Sequence, residues 1–158
     1  MAPSISSPEP WWKRRIVLRP KEVETVKVEA LEWLKEWERL INEADFEGAR
    51  PLFAESVVSF GTFAEVLYGL DQLETLQWHK IWPTITDFKF EEPKILFFED
   101  DPGTATLVVL WHSKGKTKKG GWYRRKGRAT LVLKGGKDGL RCIHSHLSME
   151  PGTLPLAE

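Results

Sequence analysis

The chain has 158 residues, enough for a single domain that buries roughly two thirds of the surface its unfolded form would expose. Basic and acidic side chains both number 23, so the zero net charge excludes a global attraction to nucleic acid or membranes. The single cysteine, Cys142, excludes an intrachain disulfide and suits a reducing compartment. Residues 1–15 lack an apolar leader, and no window approaches the ~20 apolar residues of a membrane span. We therefore expect a soluble cytoplasmic protein.

The ends of the chain differ in composition from its middle. Residues 1–20 contain four prolines with serines between them, which predicts a flexible N-terminal arm. Trp11 and Trp12 lie in this arm, where they either dock on the domain or a second subunit or share the disorder of the arm. Residues 21–151 form the predicted domain, and residues 152–158 read as a C-terminal tail.

Helices are predicted in the first half of the domain. Residues 21–44 place apolar side chains at the three-and-four spacing of an amphipathic helix, with charged residues on the opposite side. Asp45 is expected to start a second, short helix. Residues 56–63 then read as a strand, and a third helix is predicted to begin near Asp71 and to end at Pro83.

Strands are predicted in the second half, because the apolar period there changes from 3.6 to 2. Helices followed by a run of antiparallel strands indicate an α+β fold. The predicted strands cover residues 87–91, 94–98, 103–113, 127–134 and 140–149.

The last strand, CIHSHLS, holds two of the four histidines in the chain, His144 and His146. Side chains alternate along a strand, so both histidines are expected to share one face with Cys142. The opposite face is more apolar and carries Ile143, Ser145 and Leu147.

The order of these elements resembles the nuclear transport factor 2-like superfamily. The resemblance rests on the long first helix, the segment DFEGARPLFAESVVSFG, the helix after YGLDQL and the closing H-x-H-x-S, and it covers about Val23 to Pro151. Within the superfamily the chain is similar to the SnoaL-like branch, which is akin to ketosteroid isomerases and to the association domain of a calmodulin-dependent kinase. The resemblance implies a cystatin-like α+β roll, in which a strongly curved, antiparallel or mixed sheet wraps as a cone around about three N-terminal helices. It also implies an apolar cavity inside the cone and a homodimer formed through the outer face of the sheet.

The same resemblance argues against steroid isomerase chemistry. Ketosteroid isomerases use a tyrosine, an aspartate base and a protonated acid, at positions that fall here on Trp37, Gly61 and Ala129. None of these three side chains can take over the proton transfer.

The apolar face of the last strand is expected to line the cavity, together with inward residues of the neighbouring strands. Such a lining is dry and aromatic and suits a small apolar or aromatic ligand. Tyr68 or Ser145 would supply an orienting hydrogen bond. The predicted ligand-binding residues are Trp33, Trp37, Tyr68, Leu107, Val109, Trp111, Leu131, Ile143, Ser145 and Leu147.

His144 and His146 would then lie on the outer face, where a dimer would bury them as hydrogen-bonding groups. The alternative is that one of them faces the cavity as the general base of an isomerase, cyclase or dehydratase. In that case the other titratable groups within reach are His79, Asp71 and Glu65. A metal site on Cys142, His144 and His146 is disfavoured because these alternate residues span ~13 Å. A two-histidine site completed by His112 or His79 has no carboxylate or cysteine at a recognisable spacing to support it. No cofactor is expected.

The segment KGKTKKGGWYRRKGR, residues 114–128, has eight basic residues and no acidic one. Trp122 and Tyr123 lie among them, a mixture that can bind single-stranded nucleic acid. The alternative is a solvated hairpin whose lysines protect a sheet edge, or which meets the acidic first helix of a second subunit. Since acidic residues elsewhere balance the charge, the hairpin is favoured and nucleic acid is not expected as a partner.

Overall fold

The computed structural model describes residues 20–93, 95–98, 103–136 and 138–155. The predicted arm up to residue 19, with Trp11 and Trp12, lies outside the described residues, as does the end of the predicted tail. None of the helices within the described ranges is long and apolar enough to cross a membrane.

Helix α1, Pro20–Glu43, is the long amphipathic helix predicted from the sequence. Its inner side buries a row of apolar residues in the core, including Trp33 and Trp37. The chain leaves the helix through Ala44, whose φ of 50° breaks the helical conformation. Asp45 then caps α2, Phe46–Ala49, because its carboxylate accepts a hydrogen bond from the backbone N–H of Gly48.

A composite helix covers residues 69–84 and differs from the prediction in two respects. It begins at Gly69, with Tyr68 at the N-cap position, so the predicted start near Asp71 is wrong by two residues. It is also irregular, since a π-helical segment interrupts it. The composite helix comprises α3 (Gly69–Gln72), the π-helical Leu73–Trp78, α4 (His79–Ile81) and a 3-10 turn (Trp82–Thr84).

The π-helical segment changes which side chains face the core. Its i→i+5 hydrogen bonds add a residue to the turn, so the buried face shifts relative to a regular α-helix. The apolar spacing of the third helix predicts both Leu76 and Trp78 on its buried side. Trp78 is buried, but Leu76 is 45% exposed and Gln77 is buried in its place. A polar carboxamide thereby enters the interior.

A mixed, curved sheet forms the other layer. Strand order is β2-β1-β7-β6-β5-β3, with β4 paired to β5 away from this path. Neighbours pair antiparallel except β1 and β7, which run parallel. The strands are β1 (Phe53–Phe60), β2 (Leu67–Tyr68), β3 (Ile85–Phe90), β4 (Ile95–Phe98), β5 (Thr104–Lys116), β6 (Trp122–Gly136) and β7 (Gly139–Met149).

A bulge in β7 reverses the predicted alternation at its start. Val132 of β6 pairs with His144 and the next residue, Leu133, pairs with Cys142, which leaves Ile143 as an extra residue. Cys142 is therefore fully buried, whereas Ile143 is 37% exposed. The predictions that Ile143 lines the interior and that Cys142 faces outward are both wrong. Beyond the bulge Ser145 faces inward, and His144 and His146 lie on the outer face.

The inner face of β5 and β6 packs against α1 and the composite helix and forms the core. Leu107, Val109 and Leu131 are completely buried there. Burying each such side chain stabilises the fold by about 1.5 to 3 kcal/mol. The α+β architecture predicted from the sequence, a curved sheet around N-terminal helices, is confirmed.

Candidate functional site

A small cavity lies between α1, the composite helix and the inner face of β5, β6 and β7. Its volume is about 30 Å³, room for about one or two water molecules. This is well below the roughly 300 Å³ of a typical preformed ligand pocket. A ring-sized ligand therefore fits only if lining side chains move apart. The lining residues are Trp37, Ile41, Thr62, Leu73, Gln77, Trp78, Ile81, Trp82, Ile85, Phe88, Trp111, Arg125, Ser145 and Leu147.

Aromatic rings form most of the cavity wall. Trp78 and Trp82 of the composite helix stack with ring centroids 4.7 Å apart. Phe88 of β3 stacks on Trp111 of β5 at 5.5 Å. Trp37 of α1 is held by other aromatic rings of the core. The wall thus offers flat apolar faces that are already fixed by packing.

Three buried polar atoms around this cavity have no hydrogen-bond partner in the described part of the chain. They are the indole nitrogens of Trp37 and Trp111 and the side-chain oxygen of Gln77. Trp33, one turn before Trp37, instead donates its indole N–H to the Leu52 carbonyl at 3.0 Å. A buried polar group without a partner costs about 1 to 3 kcal/mol, so three around one cavity form an unusual concentration.

Arg125 adds a positive charge to the cavity wall. It lies on β6 and is only 3% exposed. Its Nη1 donates to Ser113 Oγ at 3.2 Å, and its guanidinium carbon lies 5.2 Å from the centre of the Trp111 ring. Burial lowers the pKa of Arg125, but a guanidinium remains protonated at neutral pH. None of the acidic residues described by the structure forms an ion pair with it.

Two glycines, Gly61 and Gly127, leave space for the side chains of Gln77 and Trp111. A methyl group on Gly61 would collide with the carboxamide of Gln77. A methyl group on Gly127 would collide with the indole of Trp111 and with a backbone carbonyl of β7. Any larger residue at either position would displace the polar side chain beside it.

Four of the predicted ligand-binding residues line the cavity: Trp37, Trp111, Ser145 and Leu147. The hydroxyl of Ser145 bonds to that of Ser59 at 2.7 Å. Because only one of the two donates in that bond, the pair has a hydroxyl proton to spare.

The other predicted lining residues lie elsewhere. Leu107, Val109, Leu131 and Trp33 are buried in the core away from the cavity. Tyr68 is 67% exposed because it sits in the short edge strand β2, so it does not orient a ligand in the cavity. Ile143 points outward because of the bulge.

The two histidines of β7 do not line the cavity. The Nδ1–H of His144 donates to the Val58 carbonyl of β1 at 2.7 Å. Both rings pack edge-on against Phe60, with centroids 5.4 Å away for His144 and 5.2 Å away for His146. Neither histidine therefore has the position inside the cavity that the general-base alternative requires.

The other titratable residues considered as catalytic groups also lie outside the cavity. His79 contacts Glu74 at 2.9 Å on the surface of the composite helix, and Glu74 also pairs with Arg50. Asp71 is largely exposed, and so is Glu65. His112 faces Glu91 on the surface at 3.8 Å. Over the described ranges, no group of three or more histidine, cysteine or acidic side chains could hold a metal ion.

The basic segment forms a hairpin between β5 and β6, joined by the turn at residues 117–121. A surface hollow of about 350 Å³ lies beside it, and Lys114 is paired there with Asp87 at 3.3 Å. Arg125 points into the core, whereas the other seven basic residues of this segment are exposed, with Lys114 directly opposite Arg124 on the outer face. The sequence did contain a signal for the inward position of Arg125: the alternation of β6, counted back from the inward Ala129, reaches it. The sequence contains no comparable signal for the burial of Gln77, because that burial depends on an irregular helix.

The fold is similar to that of solved structures described as nuclear transport factor 2-like or ketosteroid isomerase-like. A nuclear transport factor 2-like superfamily protein from Salmonella enterica superimposes with a TM-score of 0.71 at 20% identity, over 86% of this chain and 98% of that one. A ketosteroid isomerase-like protein from Erwinia carotovora atroseptica gives 0.68 at 15% identity, over 85% and 100%. A putative aromatic ring hydroxylase from Novosphingobium aromaticivorans gives 0.66 at 11% identity, over 82% and 92%. Such identities show a common fold alone.

The family follows from the sequence. The profile of the SnoaL-like domain matches residues 30–151, and the chain belongs to this family. No curated protein sequence matches the chain.

Proposed function

We propose that this SnoaL-like domain is a receptor for a small molecule with an aromatic or apolar body. The proposal rests on one observation: three residues that line a single aromatic cavity, Trp37, Gln77 and Trp111, each carry a buried polar atom without a partner among the described residues. A ligand with an acceptor for the indole N–H groups of Trp37 and Trp111, and a donor for Gln77, would pair them. The flat rings of the wall would supply contact area.

Entry of such a ligand requires the cavity to widen. Ile81 and Leu147 line it and are only half-buried, so they form its boundary toward solvent. The carboxamide of Gln77 is another side chain that we expect to move, because its one hydrogen bond to a described residue is a long one of 3.5 Å to Thr62. We expect movement of these side chains to widen the cavity.

Binding without catalysis fits the chemistry of the wall. Among the described residues that line the cavity, Arg125 alone carries a charge. An arginine does not serve as a general base at neutral pH. The isomerase, cyclase or dehydratase alternative requires a proton acceptor beside the ligand, and a receptor does not.

The test is calorimetric titration of the full chain with a panel of monocyclic aromatic compounds, both neutral and anionic. We expect saturable one-to-one binding of at least one of them. Trp111→Leu should remove that binding, and Trp122→Leu, at an exposed tryptophan of the hairpin, should retain it. No saturable binding across the panel, or equal binding by both variants, would overturn the proposal.

We further propose a homodimer formed through the outer face of the sheet. Val58 and Phe60 of β1 expose more than a third of their surface on that face, next to the imidazoles of His144 and His146, and Leu110 does so two strands away on β5. An isologous contact would bury these apolar side chains against their own copy. A cytoplasmic location stays a prediction from the cysteine content.

Sedimentation velocity would test the dimer. Phe60→Lys places a charge at the centre of the proposed contact and should give monomers. Phe63→Lys changes a more exposed phenylalanine, 70% accessible, in the loop after β1 and should leave the dimer intact. A monomeric unmodified chain, or a dimer that tolerates Phe60→Lys, would contradict this interface.

A further inference from the structure

We propose that the ligand of this cavity is a small monocarboxylate, whose carboxylate group pairs with Arg125. The inference rests on the proposed function and specifies its substrate class. It replaces the sequence-based expectation of a ligand held by apolar area and one orienting hydrogen bond, which did not include a buried charge.

Arg125 is the one arginine of the described residues that is buried. Arg39 lies on the surface and pairs with Glu36 and Glu43. Arg50 is partly exposed and pairs with several carboxylates around the composite helix. Arg125 is nearly completely buried, where an unpaired charge is most costly, and yet none of the described carboxylates pairs with it. A counter-ion from the ligand resolves this imbalance.

Arg125 also keeps donor capacity for a ligand. A guanidinium has five N–H donors in a planar fork. One of them bonds to Ser113 at 3.2 Å, and another makes only a long contact of 3.9 Å with the sulfur of Met149. A carboxylate matches the fork because its two oxygens can accept parallel hydrogen bonds.

The surroundings of Arg125 favour an anion over a neutral group. The indole N–H groups of Trp37 and Trp111 are donors without partners, and the Ser59–Ser145 pair has a spare hydroxyl proton. No acidic side chain lines the described cavity, so nothing in its wall repels a negative charge. Gln77 Oε1 is the one unpaired acceptor and would suit a hydroxyl or amine on the ligand body.

The single charge of Arg125 and the small volume of the cavity restrict the class of ligand further. A single buried guanidinium balances one negative charge, which favours a monocarboxylate over a phosphate dianion or a dicarboxylate. Because the cavity of about 30 Å³ must widen before it holds any ring, a short or monocyclic acid requires less movement of the wall than a polycyclic one. The aromatic wall of Trp78 and Trp82 would then contact the ring or chain of the ligand.

The experiment compares benzoate with benzamide, which have nearly the same shape but differ in charge. Each is titrated into the full unmodified chain, into Arg125→Gln and into Arg124→Gln, and binding is measured by calorimetry. Arg124 is the matched control because it precedes Arg125 on β6 but is exposed. We expect benzoate to bind roughly tenfold to a hundredfold more tightly than benzamide, as a charge-assisted pair implies. The preference should vanish in Arg125→Gln and persist in Arg124→Gln.

The outcomes separate this inference from the receptor function on which it rests. Equal saturable binding of the two compounds to the unmodified chain would overturn the carboxylate assignment and leave the receptor function standing. A benzoate preference that survives Arg125→Gln would also overturn it. Binding of neither compound would refute the inference, whereas the receptor function is judged on the wider aromatic panel. If Arg125→Gln does not fold, the affinities of benzoate and benzamide for the unmodified chain still test the carboxylate assignment.

Discussion

Removing the buried charge of Arg125 should raise the free energy of unfolding of the ligand-free protein. The change to make is the double variant Ser113→Ala with Arg125→Met, which replaces both partners of the 3.2 Å hydrogen bond by apolar groups. Burial of an arginine costs several kcal/mol in desolvation. Its bond to Ser113 returns about 1.5 to 3 kcal/mol and its contact with the Trp111 ring about 0.5 to 2 kcal/mol. We expect a net gain of about 1 to 2 kcal/mol in the free energy of unfolding.

The assay is urea denaturation of the ligand-free chain, followed by tryptophan fluorescence. A thermal melt of the same variants gives a second measurement: for a chain of this size, a gain of 1 kcal/mol in the free energy of unfolding raises the melting temperature by about 2 to 4 °C. Ser113→Ala alone should destabilise, because Arg125 then loses its hydrogen bond, and Arg124→Met on the surface should stay within about 0.5 kcal/mol. A loss of more than about 1 kcal/mol in the double variant would show that Arg125 serves the fold and would refute the reasoning.

Two further predictions concern the packing of the interior. Trp111→Ala should lower the free energy of unfolding by about 3 to 5 kcal/mol, because its ring is 99% buried, whereas Trp122→Ala should have little effect in the same urea titration. Burial raises the pKa of the Cys142 thiol, so iodoacetamide should label it only after unfolding, and raising the pH from 7 to about 9 should not speed labelling of the folded chain. Labelling as rapid as that of a free thiol would place Cys142 outside the core.

The sequence predicted the architecture because each main element carries a strong repeating signal. The apolar spacing of residues 21–44 and the alternation along β5 and β6 fix both layers of the fold. These signals also locate Trp37 and Trp111, which face inward and line the cavity.

The errors in the site arise where a strand or helix leaves its regular repeat. The bulge at Ile143 depends on how β7 pairs with β6, and pairing register is not written into either strand alone. The π-helical turn exchanges Leu76 for Gln77 on the buried face, against the hydrophobicity of both residues. Arg125 follows the regular alternation of β6, but the basic residues around it suggested a solvated surface.

The most direct test of the carboxylate-receptor account is the nitrogen–proton spectrum of the tryptophan indoles during titration with benzoate. The resonances of Trp37 and Trp111 would be assigned with Trp37→Phe and Trp111→Phe. Formation of a hydrogen bond moves an indole proton downfield, so at least one of the two should shift saturably with benzoate, and neither should shift in Arg125→Gln. If benzoate leaves both resonances unmoved, or shifts only that of the exposed Trp122, the cavity is not the binding site.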